Sequence, residues 1–442
     1  MNRLRSNPAG SLAVILGIVS AAERFVLWAV YGPVSYGDTG SYFRSAVVLR
    51  GWTLDGYDGT RVPGYPAFVA LLGAEPSRVY AGQLFVGWLL TMLLFYWMWR
   101  ASRNAVLAVI VAGLYTFVPG TFLFEANLLT ETLTAFLLVA SFVLLFELGK
   151  APTWLGRGAT AVALGLTSGA VGLVRILLYP LTIWLVPFVW SGGGGRWTRR
   201  AARTVLFLVP GLALLLGWVG YIYTGYGFLS PTTMGGYNLV QHTGAFFELL
   251  PDDDAAIRDT YLRYRDARIA ERGDQTNTIW EAIPELTEVS GLGFYDLSRE
   301  LQRLSLRLIR EHPDLYLRNV AEGWIDFWKA PVYWEPSQAK LPAVVAVFPI
   351  WASLGRAVTL AANLIFLLSS IWIVVRFRRF RDLLGDQTWL APWGFIWATS
   401  ILQTIADHGD NPRFLIPLQP VLFFVVGRYL GHVLQERKAE QE

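Results

Sequence analysis

An all-α, polytopic membrane fold with about ten transmembrane helices is the fold class that three observations on the sequence predict. Of 442 residues, 54% are hydrophobic and only 16% are charged, too few charges for the surface of a soluble globular domain. The apolar residues are also gathered into uninterrupted stretches of roughly 16 to 22, matching the ~20 that a helix needs to cross the hydrocarbon core. Basic residues flank these stretches at alternate ends, as positively charged loops retained on one side of a membrane would.

In chain order the predicted spans cover residues 12–31, 81–99, 104–120, 128–148, 159–174, 176–190, 204–224, 356–375, 389–405 and 413–434. Arg3 and Arg5 precede the first, which lacks a small-residue cleavage site, so it is expected to be an anchor and not a removed signal peptide. Residues 159–190 form one apolar run whose single charge is Arg175. One helix of that length would reach about 48 Å, too long for a single crossing, so a tight hairpin with Arg175 near its tip is expected. Arg100 and Arg103, Lys150 and Arg157, Arg196 with Arg199, Arg200 and Arg203, Arg376 to Arg381, and Arg437 with Lys438 then share a side with the N-terminus. Both termini are therefore expected to be cytoplasmic. Neither a disulfide nor a thiolate metal site can form, because the chain has no Cys. The net charge of +4 resides mostly in those loops and points to no nucleic-acid partner.

Two long loops fall on the opposite side. This divides the chain into a transmembrane module at 1–224 that includes the first loop (32–80), a helical cap at 225–341, and a second transmembrane module at 342–442. In the first loop, residues 38–50 read as a short amphipathic helix near the interface. The cap has helical stretches at 252–272 and 295–311, the latter with Leu297, Leu301, Leu304 and Leu308 on one face. It ends in Trp324, Phe327, Trp328, Tyr333 and Trp334, an aromatic cluster suited either to anchoring at the headgroups or to contacting a lipid or sugar. Segment 342–354, interrupted by Pro349, reads as an interfacial helix of its own. No internal repeat is found, which weakens a secondary-transporter reading.

Charges at or just beyond membrane depth are costly, and each needs a partner, water or a function. Asp38, Arg61, Glu131, Arg175 and the final turn with Asp407, His408, Asp410 and Arg413 all fall toward the extracytoplasmic ends of the spans. Asp38 lies between Gly37 and Gly40 and is either a helix N-cap or, partly buried with a raised pKa, a general base. Arg61 precedes Pro63 and Pro66, which fix where its guanidinium points; it suits a phosphate or a lipid headgroup. Arg175 follows the same logic. Glu131 could orient Asp38 or an acceptor, or pair with Arg175. Tyr42 and Tyr65 stand beside these residues as substrate contacts. One His with two Asp on the last turn is a weak metal signal and fits a solvated turn better, so no cofactor is assigned and a divalent ion is left without a ligand cluster. Glu23 and Arg24 lie inside the first span and are expected to pair with other spans.

These pieces resemble the GT-C glycosyltransferases of the protein mannosyltransferase and aminoarabinose transferase type. The match comprises Asp38 soon after the first span, Arg61 leading into Pro63-Gly64-Tyr65-Pro66, and Glu131 opening the fourth span. Gly172-Leu173-Val174-Arg175 followed by Pro180, and the closing Asn411-Pro412-Arg413-Phe414-Leu415-Ile416-Pro417, also fit. The resemblance implies a bacterial inner-membrane enzyme that transfers a hexose or pentose, with inversion, from a polyprenyl-phosphate donor to a protein, lipid or polysaccharide on the extracytoplasmic side. Asp38 and Glu131 would be catalytic, Arg61, Arg175 and Arg413 would bind the donor phosphate, and Tyr42, Tyr65 and His408 would touch substrate. The sequence departs from many relatives in carrying Asp38-Thr39 where they have paired acids. A flippase for a lipid-linked saccharide and a non-catalytic envelope subunit are the alternatives.

Overall fold

The structure, a computed structural model, describes residues 8–409, 411–439 and 441; Arg3, Arg5 and Asp410 lie outside the described residues. Among the described residues there are helices and no strands, only isolated bridges pairing Tyr31 with Ala339 and Val34 with Asn127. Contacts divide the chain into two units. The first is Met1–Leu216 with Ala330–Trp397 and Ile416–Glu442; the second is Gly217–Lys329 with Ala398–Leu415.

The first unit opens with α1 (Pro8–Val30), the interfacial α2 (Thr39–Arg50) and α3 (Gly64–Leu71), and α4 (Pro76–Ser102). Next come α5 (Ala105–Phe117) and α6 (Pro119–Phe122), the latter extended by a 3-10 turn to Glu125 and bent 60° from α5. Pro119 causes the bend, because it holds Val118 extended and supplies no N–H. The Thr121 hydroxyl donates to the carbonyls of Tyr115 (2.7 Å) and Val118 (3.0 Å), and the first of these is the acceptor that Pro119 leaves without its helical N–H. α7 (Glu131–Leu148) and α8 (Trp154–Val174) follow. Extended backbone at Arg175 ends α8, and the Thr182 hydroxyl donates to that of Ser168 (3.0 Å), so the chain doubles back as the hairpin predicts. The returning limb runs back to the start of α8, where Arg157 Nη1 donates to the Gly193 carbonyl (2.7 Å), but it is shorter than the helices counted as long enough to cross a membrane. Pro180 and Pro187 break it into α9 (Leu181–Trp184) and α10 (Val186–Ser191) within a 16-residue helical stretch. α11 (Trp197–Tyr226) packs closely on α8, with Gly165 and Gly169 against the backbone at Phe207 and Gly211.

The second unit holds α12 (Gly235–Thr243), α13 (Ala255–Arg272), α14 (Thr278–Ser290), α15 (Phe294–Glu311) and α16 (Pro313–Phe327). Leu297, Leu301, Leu304 and Leu308 are fully buried, packed with Tyr237, Phe247, Ile279 and Leu286 in a core belonging to this unit alone. α13 and α15 sit where the periodicity places helices. α12, α14 and α16 were not expected from the sequence, and α14 holds Pro284 in its interior.

α17 (Pro342–Val375) is one helix of 34 residues, and this corrects the expectation of a separate interfacial helix at 342–354. Its buried stripe of Phe348, Ala352, Gly355 and Thr359 runs on past Pro349, and packing along that face holds the helix together. α18 (Arg381–Gly385), α19 (Gln387–Ala406), α20 (Asn411–Leu415) and α21 (Gln419–Ala439) complete the chain. Seven helices among the described residues are long and apolar enough to cross a membrane, or eight with the bent α5–α6 pair, which makes this a multi-pass membrane protein. The expected ten is not reached. The 176–190 limb is too short and broken, and α19 does not qualify, with Gln387, Thr388, Thr399, Ser400, Gln403 and Thr404 along it.

Candidate functional site

The segment after α1 is pinned before any side chain is considered. Val34 N–H donates to the Ala126 carbonyl and Leu128 N–H to the Val34 carbonyl, both at 2.9 Å. The Thr39 hydroxyl donates to the Leu128 carbonyl (3.1 Å) and accepts from Tyr36 N–H (2.9 Å). Asp38 therefore stands fixed at the start of α2. It occupies the N-cap position, yet its carboxylate makes no capping bond. Instead Oδ1 accepts from Arg61 Nη2 at 2.6 Å, while Arg61 Nε donates to the Ser41 hydroxyl (2.9 Å). The guanidinium also lies over the Tyr42 ring, 5.1 Å from its centroid. Arg61 is 23% and Asp38 31% exposed, so the pair is braced on one side and open on the other.

Tyr42 meets Tyr65 edge to face at 5.0 Å. The Tyr65 hydroxyl donates to Gln83 Oε1 (2.6 Å), and Gln83 Nε2 donates to the carbonyls of Asn127 (2.7 Å) and Glu125 (3.1 Å). Burial, then the neighbouring Tyr42 and Glu131, push the Tyr65 hydroxyl well above its ordinary pKa, so it stays a neutral donor. Burial likewise raises Tyr57, with Asp58, Tyr42 and Arg61 nearby. Gly64 lies against the backbone of Leu173, where any side chain would collide, and this brings the start of α3 onto the end of α8. At that end Arg175 Nη1 donates to Glu131 Oε1 (3.0 Å) and to the Thr130 hydroxyl (3.2 Å). This second pair is sealed, Glu131 being 1% and Arg175 7% exposed.

Six sequence-predicted residues are thus gathered in the first unit: Asp38, Tyr42, Arg61, Tyr65, Glu131 and Arg175. The other two belong to the second unit. Arg413 is half-buried in α20. His408 does not stand on a solvated turn; it is half-buried, 5.2 Å from the ring of His242, which is fully buried. Burial, then the charge of His408, pushes His242 down to about 3. Burial also lowers His408, against the opposing pull of Asp326 and Glu322. Among the described residues no group of three or more His, Asp or Glu side chains is placed to hold a metal ion.

Arg24 pairs across the bundle as expected, and what sequence reasoning missed is its partner, Glu125. Arg24 pairs with Glu125, through Nε at 2.8 Å and Nη2 at 2.5 Å, and the two are 4% and 0% exposed. The Tyr115 hydroxyl also donates to Glu125 (3.0 Å), and Gly87 makes room for that carboxylate. The signal was there: a carboxylate within the apolar run from Pro119 to Leu129 is costly enough to require a partner. Compared with protein families, curated proteins and solved structures, the chain matches no family, no curated protein and no solved structure.

Proposed function

We propose that this protein is a membrane glycosyltransferase that moves a sugar from a polyprenyl-phosphate donor to an acceptor on the extracytoplasmic side. The observation that supports it most is the half-open Asp38–Arg61 pair, braced by Ser41 and Tyr42 beside the sealed Glu131–Arg175 pair. This pair has an open side, so it can exchange partners at less cost than the sealed pair beside it. A phosphate group therefore competes well for Arg61, whose planar donors fit it bidentately, and its arrival frees the Asp38 carboxylate.

In the proposed step Asp38 takes the proton of the acceptor hydroxyl, whose oxygen attacks the anomeric carbon. The carbon–oxygen bond to phosphate breaks, and the phosphate leaves with the bonding electrons on the opposite face, inverting the centre. Arg61 meets the charge developing on the leaving group. Arg175 stays paired with Glu131, and that sealed pair serves to hold the end of α8 beside the site. A carrier for lipid-linked saccharide would need polar groups open to a path through the membrane, whereas the Arg24–Glu125 pair is enclosed.

The test is transfer of labelled sugar from a polyprenyl-phosphate donor by purified protein in detergent or vesicles. Asp38→Asn is expected to lose transfer by at least the ~10²-fold typical of a removed general base, with its melting temperature retained. Full turnover by that variant would remove Asp38 from the mechanism. Translocation of the lipid-linked sugar without transfer would replace the enzyme by a carrier.

A further inference from the structure

A cavity of about 390 Å³ lies between α1, the α5–α6 bend and α17, and its mostly apolar lining carries a single acidic side chain. Val26, Leu27, Phe117, Phe348 and Trp351 supply the apolar surface, Tyr31 and Trp334 close one end, and Glu23 is the acid. Val26 and Phe117 are about half exposed on helices long and apolar enough to cross a membrane, so the cavity faces hydrocarbon. Glu23 lies seven residues inside the end of α1, about 10 Å at the helical rise. That depth is where an ionised carboxylate is costly.

The neighbouring guanidinium gives Glu23 no hydrogen bond. Arg24 has five N–H donors, and all five are engaged: two on Glu125, one each on the hydroxyls of Thr116 and Thr91, and one on the Ser20 carbonyl. Its charge is balanced by Glu125. Among the described residues Glu23 receives one hydrogen bond, from the Thr116 hydroxyl on Oε2, at 2.8 Å. The ionisable groups around it are Arg24, Glu125 and Tyr115 behind the wall and Tyr31 at the cavity's end. With Arg24 and Glu125 cancelling, an ionised Glu23 would leave one net negative charge at membrane depth, and a protonated Glu23 leaves none.

We propose that Glu23 is a neutral, proton-carrying carboxyl presented to the membrane, and that with its cavity it forms a site for small apolar molecules able to accept a hydrogen bond. This goes beyond the transferase reading and does not depend on it. The matching probe is dicyclohexylcarbodiimide, an apolar reagent that needs the acid form. The Glu23 proton passes to one carbodiimide nitrogen while a carboxyl oxygen bonds to the central carbon. The acyl group then migrates to the other nitrogen, giving a stable N-acylurea with nothing released.

The experiment treats the full chain in membranes near neutral pH with this reagent or a water-soluble carbodiimide, without donor or acceptor, and maps adducts by peptide mass spectrometry. The expected result is an adduct on the Glu23 peptide with the apolar reagent, its loss in Glu23→Gln, and none on Glu125. No Glu23 adduct, an equal adduct on Glu125, or equal labelling by the water-soluble reagent would overturn the proposal. Because the site is read directly from wild-type peptides, the outcome stands even if Glu23→Gln folds poorly, and failure here leaves the sugar-transfer assay unaffected.

Discussion

At the scale of single residues, two acid–guanidinium pairs of the same chemistry differ in what encloses them. Asp38 and Arg61 keep a solvent-facing side, so they can exchange partners; Glu131 and Arg175 cannot without exposing a buried charge. Arg61→Ala should therefore weaken donor binding without unfolding the protein. Loss of a charge-assisted hydrogen-bonded contact of about 1.5 to 3 kcal/mol corresponds to roughly 10- to 150-fold in Kd, measurable by titrating polyprenyl phosphate. An unchanged Kd would place the phosphate elsewhere. His242 carries a separate, pH-linked prediction. Its folded pKa of about 3 lies below its ordinary 6.5, so the unfolded chain binds the extra proton. Its contribution to stability is fully present above 6.5 and lost progressively as pH falls toward 3, by about 1.4 kcal/mol per pH unit. Melting temperature followed across that window should fall more steeply in the wild type than in His242→Leu.

At the scale of elements, breaks in helices do as much as the helices. Extended backbone at Arg175 ends α8 where the guanidinium meets the first residue of α7. Pro119 bends the chain between α5 and α6, and Glu125, three residues beyond α6, then reaches Arg24 of α1. These contacts tie elements whose apolar faces alone would permit sliding along one another. Glu131→Gln leaves Arg175 buried with no carboxylate beside it, and a cost of about 3 to 5 kcal/mol is expected. Thermal or denaturant unfolding in detergent checks this. An Arg175→Met, Glu131→Met double variant should recover much of the loss, since an apolar pair of similar volume avoids the desolvation penalty. If the single variant unfolds like wild type, the pair does not hold α7 to α8.

At the scale of the whole molecule, the absence of cysteine makes sidedness directly measurable, because any introduced thiol is unique. Thr53 follows α2 and Thr198 lies at the start of α11, and both are exposed. Thr53→Cys should react with a membrane-impermeant maleimide in intact cells, and Thr198→Cys only after permeabilisation. The opposite pattern would invert the topology and move the Asp38 region to the cytoplasmic face.

What the sequence by itself determined was whatever depends on local composition and period. Most of the apolar runs, the hairpin about Arg175, the leucine stripe of α15 and the residue types of the Asp38 region were legible, because hydropathy and spacing are properties of neighbours in the chain. The tertiary structure alone decided the rest. It made α17 one helix across Pro349, since packing along a continuous face outweighs one missing hydrogen bond. It chose Arg61 over the helix terminus as partner for Asp38, and it brought Arg24 to Glu125 across 101 positions. It also set His408 against His242. Partner choice at a buried charge is settled by distance and enclosure in three dimensions, and no window along the chain contains that information.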